Sequence, residues 1–487
     1  MTLNFPIASG AIEAALVSLV RPKDEMIAML TSSHSDQADD GLPAPRRHFA
    51  VGVLLLSLVL VVLDGAIANV ALPSIAISLG AHPSDTVWVV SSYQLAVLVA
   101  LLPCGALGEI YGPRRVFLMG VAVFTLASTA CALAGSLPLL VAARFMQGLG
   151  AGAMMGLAAM NLRTAVPQRM LGTIIGFNAM AIAISAAAGP AVAGAILSFA
   201  SWPWLFAVNL PLGLLVLACG RFLGHMDGVK RRLDVPAVLA STAMFILFFA
   251  GAELIATAPA SGAMLIGCSI LCLLAVLRLE RNTRTPIVPT DLLSDPGFRV
   301  AVIASVACFT GQMLAYVALP FYLHHTMGMT PALTGLYMMP WPIATIIMAP
   351  IAGRLADRIK TAWLCACGGG LLALGLLIAG LFPPDAKGIA FLIGTTLAGT
   401  GFGLFQTPNN RILLLSAPKA RSGAAGAMQG TARLLGQTMG AISMSIIFAL
   451  VPVGDAPSIA LVIAGLCTAV SALVSLSRAR YETVNRR

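Results

Sequence analysis

Charge is the scarcest property of this chain: only 10% of its 487 residues are Asp, Glu, Lys or Arg, against about 25% in soluble proteins. That shortage excludes an ordinary soluble enzyme. No phosphate-cradling G-x-x-x-x-G-K-[ST] loop occurs, so nothing points to ATP as an energy source. No metal-ligand cluster appears, nor a nucleophile beside a base; His324 and His325 stand at the end of an apolar run, away from carboxylates. The nine cysteines lie in or beside apolar runs, which implies neither a disulfide framework nor a metal centre. Even Cys365 and Cys367, two apart, would face different ways on a helix. The first 48 residues lack a spanning run, and "IASGAIEAALVSLV" is short and carries Glu13, which makes a poor signal peptide. The acidic "DQADD" before "LPAPRR" reads as a flexible approach to the membrane.

What the chain has instead is apolar length. Hydrophobic residues make up 59%, mean hydropathy is +0.93, and runs of the roughly 20 residues that cross a bilayer recur almost end to end. The composition predicts an all-α integral membrane protein with spans near 49–73, 86–107, 115–135, 138–160, 172–198, 203–223, 234–254, 262–279, 298–322, 331–352, 361–381, 388–409, 424–450 and 457–477. Glu253 and the short "TAPASGA" turn interrupt the seventh and eighth. Of 29 Lys and Arg, this scheme leaves only Lys387 in a loop opposite the termini and puts Arg144 and Arg433 inside spans. Basic residues crowd the cytoplasmic side of membrane proteins, so both termini are expected in the cytoplasm of a multi-pass protein of the cell (inner) membrane. The net charge of +10 then reports topology and calls for no nucleic-acid partner.

A device appears twice. "GALGEIYGPRR", 105–115, follows the second expected span, and "GRLADRIK", 353–360, follows the tenth. Eight spans separate the copies, as expected for two six-helix halves with one helix pair inserted between them. Internal repeats of this kind mark secondary transporters. The expected division is a tail at 1–48, a bundle at 49–223, two inserted helices with linkers at 224–297, a second bundle at 298–477 and a tail at 478–487.

Further segments carry a resemblance: "LDGAIANVALP" in span one, "RFMQGLGAG" in span four, "AAAGPAVAGAI" in span five, "WPWLFAVNLPLG" entering span six, and "GFGLFQTPNNR" with "ARLLGQTMGAI" in spans twelve and thirteen. With the repeated loops, they make the chain similar to the major facilitator superfamily, in the fourteen-span drug:proton antiporter group of EmrB and QacA type. The resemblance implies the major facilitator fold, no cofactor, and a conformational latch at Gly105, Glu109, Gly112, Arg114 and Arg115 with its second copy at Gly353, Asp357 and Arg358. In such a latch a loop carboxylate pairs with an arginine or helix end of the other half. Here glutamate stands where the family usually has aspartate, Ile110 where a basic residue is common, and Pro113 where an arginine often sits. The antiporter motif falls on Gly189, Pro190 and Gly194, small residues that allow close helix contact around a proline that removes a backbone hydrogen bond.

Asp64 is the clearest acidic residue well inside any span. At 1.5 Å per residue it lies roughly 22 Å along its span, about 8 Å from the outer edge of a 30 Å core, and Arg144 lies at about 9 Å from the same edge. The two are expected to pair and to carry proton coupling, since intramembrane ionisable groups are functional by default. Asn69, Gln94, Gln147, Asn178, Gln312, Tyr316, Gln429 and Arg433 are candidates for lining a substrate cavity, although intramembrane amides more often pin helices together. Phe177, Phe206, Phe321 and Trp341 are candidates for an aromatic wall.

The resulting expectation is a proton-driven exporter of hydrophobic compounds, cationic ones included, working by alternating access. Its partners would be a small-molecule substrate, protons and the lipid bilayer, with periplasmic adaptor proteins if it belongs to an envelope efflux system. The alternatives are a metabolite or nutrient carrier of the same superfamily and, far behind, an intramembrane enzyme.

Overall fold

The computed structural model describes residues 41–226, 228, 235–255, 258–280, 292–381, 388–415 and 422–479. Most of the expected N-terminal tail, Lys387 and the end of the C-terminal tail lie outside these residues. The described chain is helical throughout. Its long helices are α1 Ala44–Leu79, α2 Trp88–Tyr111, α3 Pro113–Ala132, α4 Leu137–Ala165, α5 Gln168–Phe199, α6 Asn209–Cys219, α7 Val235–Leu254, α8 Pro259–Glu280, α9 Pro296–Phe321, α10 Pro340–Leu355, α11 Thr361–Leu381, α12 Ile389–Leu415, α13 Ser422–Leu450 and α14 Ala456–Arg478. Short helices Pro83–Thr86, Pro203–Ala207 and Pro331–Met338 lead into α2, α6 and α10.

Thirteen helical stretches among the described residues are long and apolar enough to cross a membrane. The remaining long helix, α5, runs 32 residues, with its apolar part at Ile184–Phe199. Two spans differ from simple rods. The tenth breaks at Met339 because Pro340 cannot donate to the preceding turn and its ring crowds that turn's carbonyl. The ninth ends in a π turn, Tyr322–Thr326. At the other end of the chain, Arg478 is the last residue of α14 and is buried, although the sequence placed it at the start of a tail.

Packing repeats at an offset of eight helices. α2 packs on α4 as α10 does on α12, α3 on α4 as α11 on α12, α1 on α5 as α9 on α13, and α3 on α6 as α11 on α14. α7 and α8 pair chiefly with each other, and close approach is possible because Gly251 and Gly262 face one another: a Cβ on either would stand 2.8 Å from the other's carbonyl oxygen. α7 also touches α2 and α13.

The two repeats meet along three seams, α1 with α9, α2 with α13, and α5 with the Pro331–Met338 helix and α10. The side bearing the start of α1 and the end of α14 is the near side. A continuous apolar core joins the repeats toward the far side, from Ile67, Leu72 and Ala193 to Leu314, Phe321, Met338 and Phe448. Nearer the near side, Leu292, Phe298, Ala301, Leu413, Ala425 and Met428 form a cluster within the second repeat alone. The molecule is therefore held together mainly across its far half.

Candidate functional site

The buried polar network around Asp64 is assembled from five helices of the first repeat. Asp64 on α1 is 1% exposed and Arg144 on α4 is wholly buried, and Arg144 Nη1 donates to Asp64 Oδ2 at 2.6 Å. The other carboxylate oxygen, Oδ1, accepts from Gln147 Nε2 at 2.9 Å and from Asn209 Nδ2 on α6 at 2.6 Å. Gln147 Nε2 also donates to Ser128 Oγ on α3 at 2.7 Å, and that hydroxyl in turn donates to the Phe124 carbonyl at 2.8 Å. This direction of donation fixes the amide: its oxygen faces Arg144 Nη1, which donates to it at 2.5 Å. Arg144 Nε reaches the Val89 carbonyl on α2 at 3.0 Å.

Aromatic faces complete the enclosure. The guanidinium carbon lies 4.1 Å from the Tyr93 ring centroid and 5.4 Å from that of Phe206, distances at which a cation is attracted by the ring quadrupole. One donor is left over, since Arg144 Nη2 is buried with no hydrogen-bond partner among the described residues. A paired charge in such surroundings is tolerable only because nearly every lone pair and proton is matched. Water has no access to Asp64 in this conformation, so a proton reaches or leaves it only after α1, α4 or α6 moves.

Depth along the helices predicts that Asp64 and Arg144 can meet; the network's other members are visible only in three dimensions. Gln147, a cavity candidate by sequence, is fully buried inside the first repeat and serves the ion pair instead. Asn209, a polar span residue that the sequence also offers for the cavity, serves the ion pair here, and Ser128 carries no signal beyond being a polar residue in an apolar run.

Gly189, Pro190 and Gly194, expected from the resemblance to form an antiporter motif, lie in close helix contacts toward the far side. Gly189 packs against Ala66 on α1 so closely that a Cβ would collide with the alanine side chain. One and five residues further along α5, Pro190 and Gly194 meet Gly335 on the Pro331–Met338 helix, across the seam between repeats. A Cβ on Gly335 would strike the Pro190 carbonyl oxygen and stand 3.1 Å from the Gly194 Cα. Gly335 is thus a seam residue that sequence reading missed. Ser445 on α13 adds a polar tie: its hydroxyl is 3.1 Å from the Ser84 carbonyl and also bonds Glu253 on α7.

The latch residues lie at the near-side rim. Gly112 joins α2 to α3 with φ of 91°, a left-handed conformation that favours glycine, and a Cβ there would stand 2.8 Å from the Met226 carbonyl. Glu109 and Arg115 are exposed, Arg114 partly so, and a Cβ on Gly105 would meet nothing within 4 Å. In the second copy, Asp357 pairs with Arg411 on α12 at 2.5 Å. That partner belongs to its own repeat, not to the other one. Both side chains are exposed, so the pair itself contributes little to stability. Gly353 and Arg358 lie beside it at the same rim.

The remaining cavity candidates separate by burial. Asn69 is buried with its Nδ2 donating to the Gly65 carbonyl at 3.0 Å, and Gln312 is 8% exposed with Oε1 lacking a partner among the described residues. Tyr316 stacks edge-on against Trp341, centroids 5.1 Å apart. Gln94, Asn178, Gln429 and Arg433 are partly exposed. Of the aromatic candidates, Phe206, Phe321 and Trp341 are packed in the core, while Phe177 is 45% exposed.

Residues 54–441 match the profile of the Major Facilitator Superfamily. The chain belongs to that superfamily. It is 42% identical to the uncharacterized transporter YebQ of Escherichia coli over 409 residues, covering 82% of this chain and 89% of the relative. It is 28% identical to the riboflavin transporter RibZ of Clostridioides difficile, over 82% of this chain and 87% of RibZ. The multidrug resistance protein Stp of Mycobacterium tuberculosis is 31% identical, over 79% and 73% of the two chains. Among solved structures, a D-xylose–proton symporter superposes with a TM-score of 0.63 at 17% identity, over 88% of this chain and 97% of the symporter. This facilitator chain is therefore a multi-pass membrane transporter protein, and its relatives give no reason to look for an enzyme.

Proposed function

We propose that this transporter is a proton-driven exporter of hydrophobic compounds, of the fourteen-span drug:proton antiporter type, working by alternating access. The observation that carries the reading is the Asp64–Arg144 pair, a carboxylate held in the membrane by an arginine at 2.6 Å and sealed from water. A neighbouring cation favours the ionised carboxylate and loss of water disfavours it. Conformations that hold the pair together or part it therefore bind and release a proton by turns. The far-side glycine seam supplies the second element, a contact between repeats that can open as a unit. The repeated packing supports rocking bodies at 49–223 and 298–477 with 224–297 inserted between them. The name of Stp, a multidrug resistance protein, supports export.

The name of RibZ, a riboflavin transporter, favours the second reading, a carrier of a metabolite or vitamin. The energy source separates the two from passive carriage. A protonophore is expected to abolish efflux of any substrate from loaded cells, whereas ATP depletion with the gradient held leaves it intact. Efflux that survives loss of the proton gradient sinks the antiport reading. Accumulation driven inward by the same gradient would favour the nutrient carrier.

Both termini are proposed to be cytoplasmic, which makes the closed far side the outer one and the structure inward-facing. The support is the distribution of lysine and arginine. Reporter fusions at residues 82, 385 and 455 are expected to report the outside, and those at 227, 285 and 487 the inside. An opposite result at either terminus overturns this orientation.

A further inference from the structure

Arg144, Arg433 and Arg478 lie in long helices and are buried or partly buried, and they are not alike. Arg144 is matched by Asp64, Gln147 and the Val89 carbonyl. Arg478, at the near-side end of α14, approaches Asn409 Oδ1 at 3.5 Å and Cys365 Sγ at 3.6 Å. Arg433, roughly 16 Å along α13 at 1.5 Å per residue, forms no hydrogen bond or ion pair with any described residue, and its Nε is shielded from solvent. Arginine does not shed its proton in proteins. A permanent cation at that depth, lacking a protein anion, normally faces a water-filled path and marks the route of a substrate or ion.

The packing of α13 fixes which way it faces. Gly436 and Gly440 lie against α9, where their Cβ atoms would meet Val306, Phe309, Thr310, Met313 and Leu314. Gly430 turns toward Leu101 on α2, 3.4 Å from a Cβ, and Leu434 packs with the first repeat's core. On a 3.6-residue helix Arg433 points between these two directions, into the angle between the first repeat's α2 and the second repeat's α9. Gln429 and Gln437 lie one turn to either side on the same stripe, partly exposed and with no hydrogen bond to described residues. The facing register is set by two contacts, Leu101 with Gly430 and Ser84 with Ser445. Two turns from Leu101, and so on its face of α2, Gln94 comes level with Gln437.

We infer that Arg433 is the anion anchor of the transport cavity, binding a carboxylate or acidic phenolate on an amphiphilic organic substrate, with Gln429, Gln437 and Gln94 offering amide hydrogen bonds around it. The inference rests on the transporter reading and names the substrate class. It replaces the expectation of cationic substrates, because the cavity face carries a cation and no carboxylate among its described residues. A guanidinium holds a carboxylate through two parallel bonds. Binding also removes the uncompensated charge before the cavity closes, so an anionic substrate favours occlusion.

Binding to the purified full-length protein tests this without any transport step, so its outcome is independent of the protonophore experiment. The probes are fluorescein, an anionic xanthene, and rhodamine 6G, a cationic one. Wild type is expected to bind fluorescein more tightly than rhodamine 6G. Arg433→Gln should weaken fluorescein binding about tenfold or more, with Arg433→Lys between the two, since a point charge replaces a two-pronged donor. Gln437→Glu keeps the arginine but gives it a carboxylate partner one turn away; it should weaken fluorescein binding similarly and decides the matter if Arg433→Gln does not fold. Wild type that does not prefer fluorescein, or folded variants that bind it as tightly as wild type, would overturn the assignment.

Discussion

Asp64→Asn is expected to reduce proton-driven efflux to the background of cells lacking the protein, while downhill substrate exchange continues. Asparagine is nearly the same shape, and its one oxygen can still accept either from Gln147 and Asn209, which hold Asp64 Oδ1 at 2.9 and 2.6 Å, or from Arg144, which holds Oδ2 at 2.6 Å, while its NH2 occupies the other position without accepting. What it loses is the charge and the exchangeable proton. Exchange of substrate across the membrane needs the rocking motion but no net proton movement, so it separates coupling from gross failure. Either substitution takes the counterion from buried Arg144, a loss that typically costs about 3–5 kcal/mol; Asp64→Ala also removes every side-chain acceptor and is expected to lower the yield of folded protein further. The measurement is efflux under an imposed pH gradient against counterflow in proteoliposomes, at matched membrane expression. Intact proton-driven efflux in Asp64→Asn would end the coupling role; loss of both activities in folded protein would make the pair a structural tie between α1 and α4.

Gly335→Leu is expected to block transport by a different route, holding the far side open. Its Cβ would strike the Pro190 carbonyl and crowd Gly194. These are backbone atoms of a helix and cannot turn aside as a side chain would. Overpacking of this kind costs about 1–3 kcal/mol, and borne by the closed state alone it shifts the open-to-closed ratio by about 5- to 150-fold. Transport should fall by a similar factor, and a cysteine introduced at Met338, 2% exposed in the core that joins the repeats, should become correspondingly more reactive toward a membrane-impermeant maleimide from the far side. Gly370→Leu is the control, since a Cβ there meets nothing within 4 Å, and transport should be near normal. Unchanged maleimide reactivity and transport in Gly335→Leu would show that this seam does not have to open.

How much of this could be read from the chain differs from residue to residue. The spans were legible because lipid demands a long apolar run for each crossing, and the two copies at 105–115 and 353–360 showed the repeat. α5 is the instructive case: its first half is less apolar, yet the helix runs unbroken from Gln168 to Phe199. The second latch copy was recognised as a motif, but its carboxylate, Asp357, bonds Arg411 within its own repeat. Nothing in an eight-residue motif says which near-side arginine will be within reach.

The sequence by itself determined the membrane class, the repeated architecture and the depth of Asp64 and Arg144, because position along a helix follows from a fixed rise and turn per residue. Partnership was decided by tertiary structure. Arg144 and Arg433 look alike as arginines inside apolar runs, yet one is enclosed by Asp64, Gln147 and two aromatic rings while the other meets no anion among the described residues. Gly194 and Gly335 are 141 positions apart and become neighbours only when the repeats close on the far side. The reason is physical: helix geometry sets how deep a side chain lies and which face it occupies, but whether that face meets a carboxylate, a glycine or open water depends on which helix packs against it.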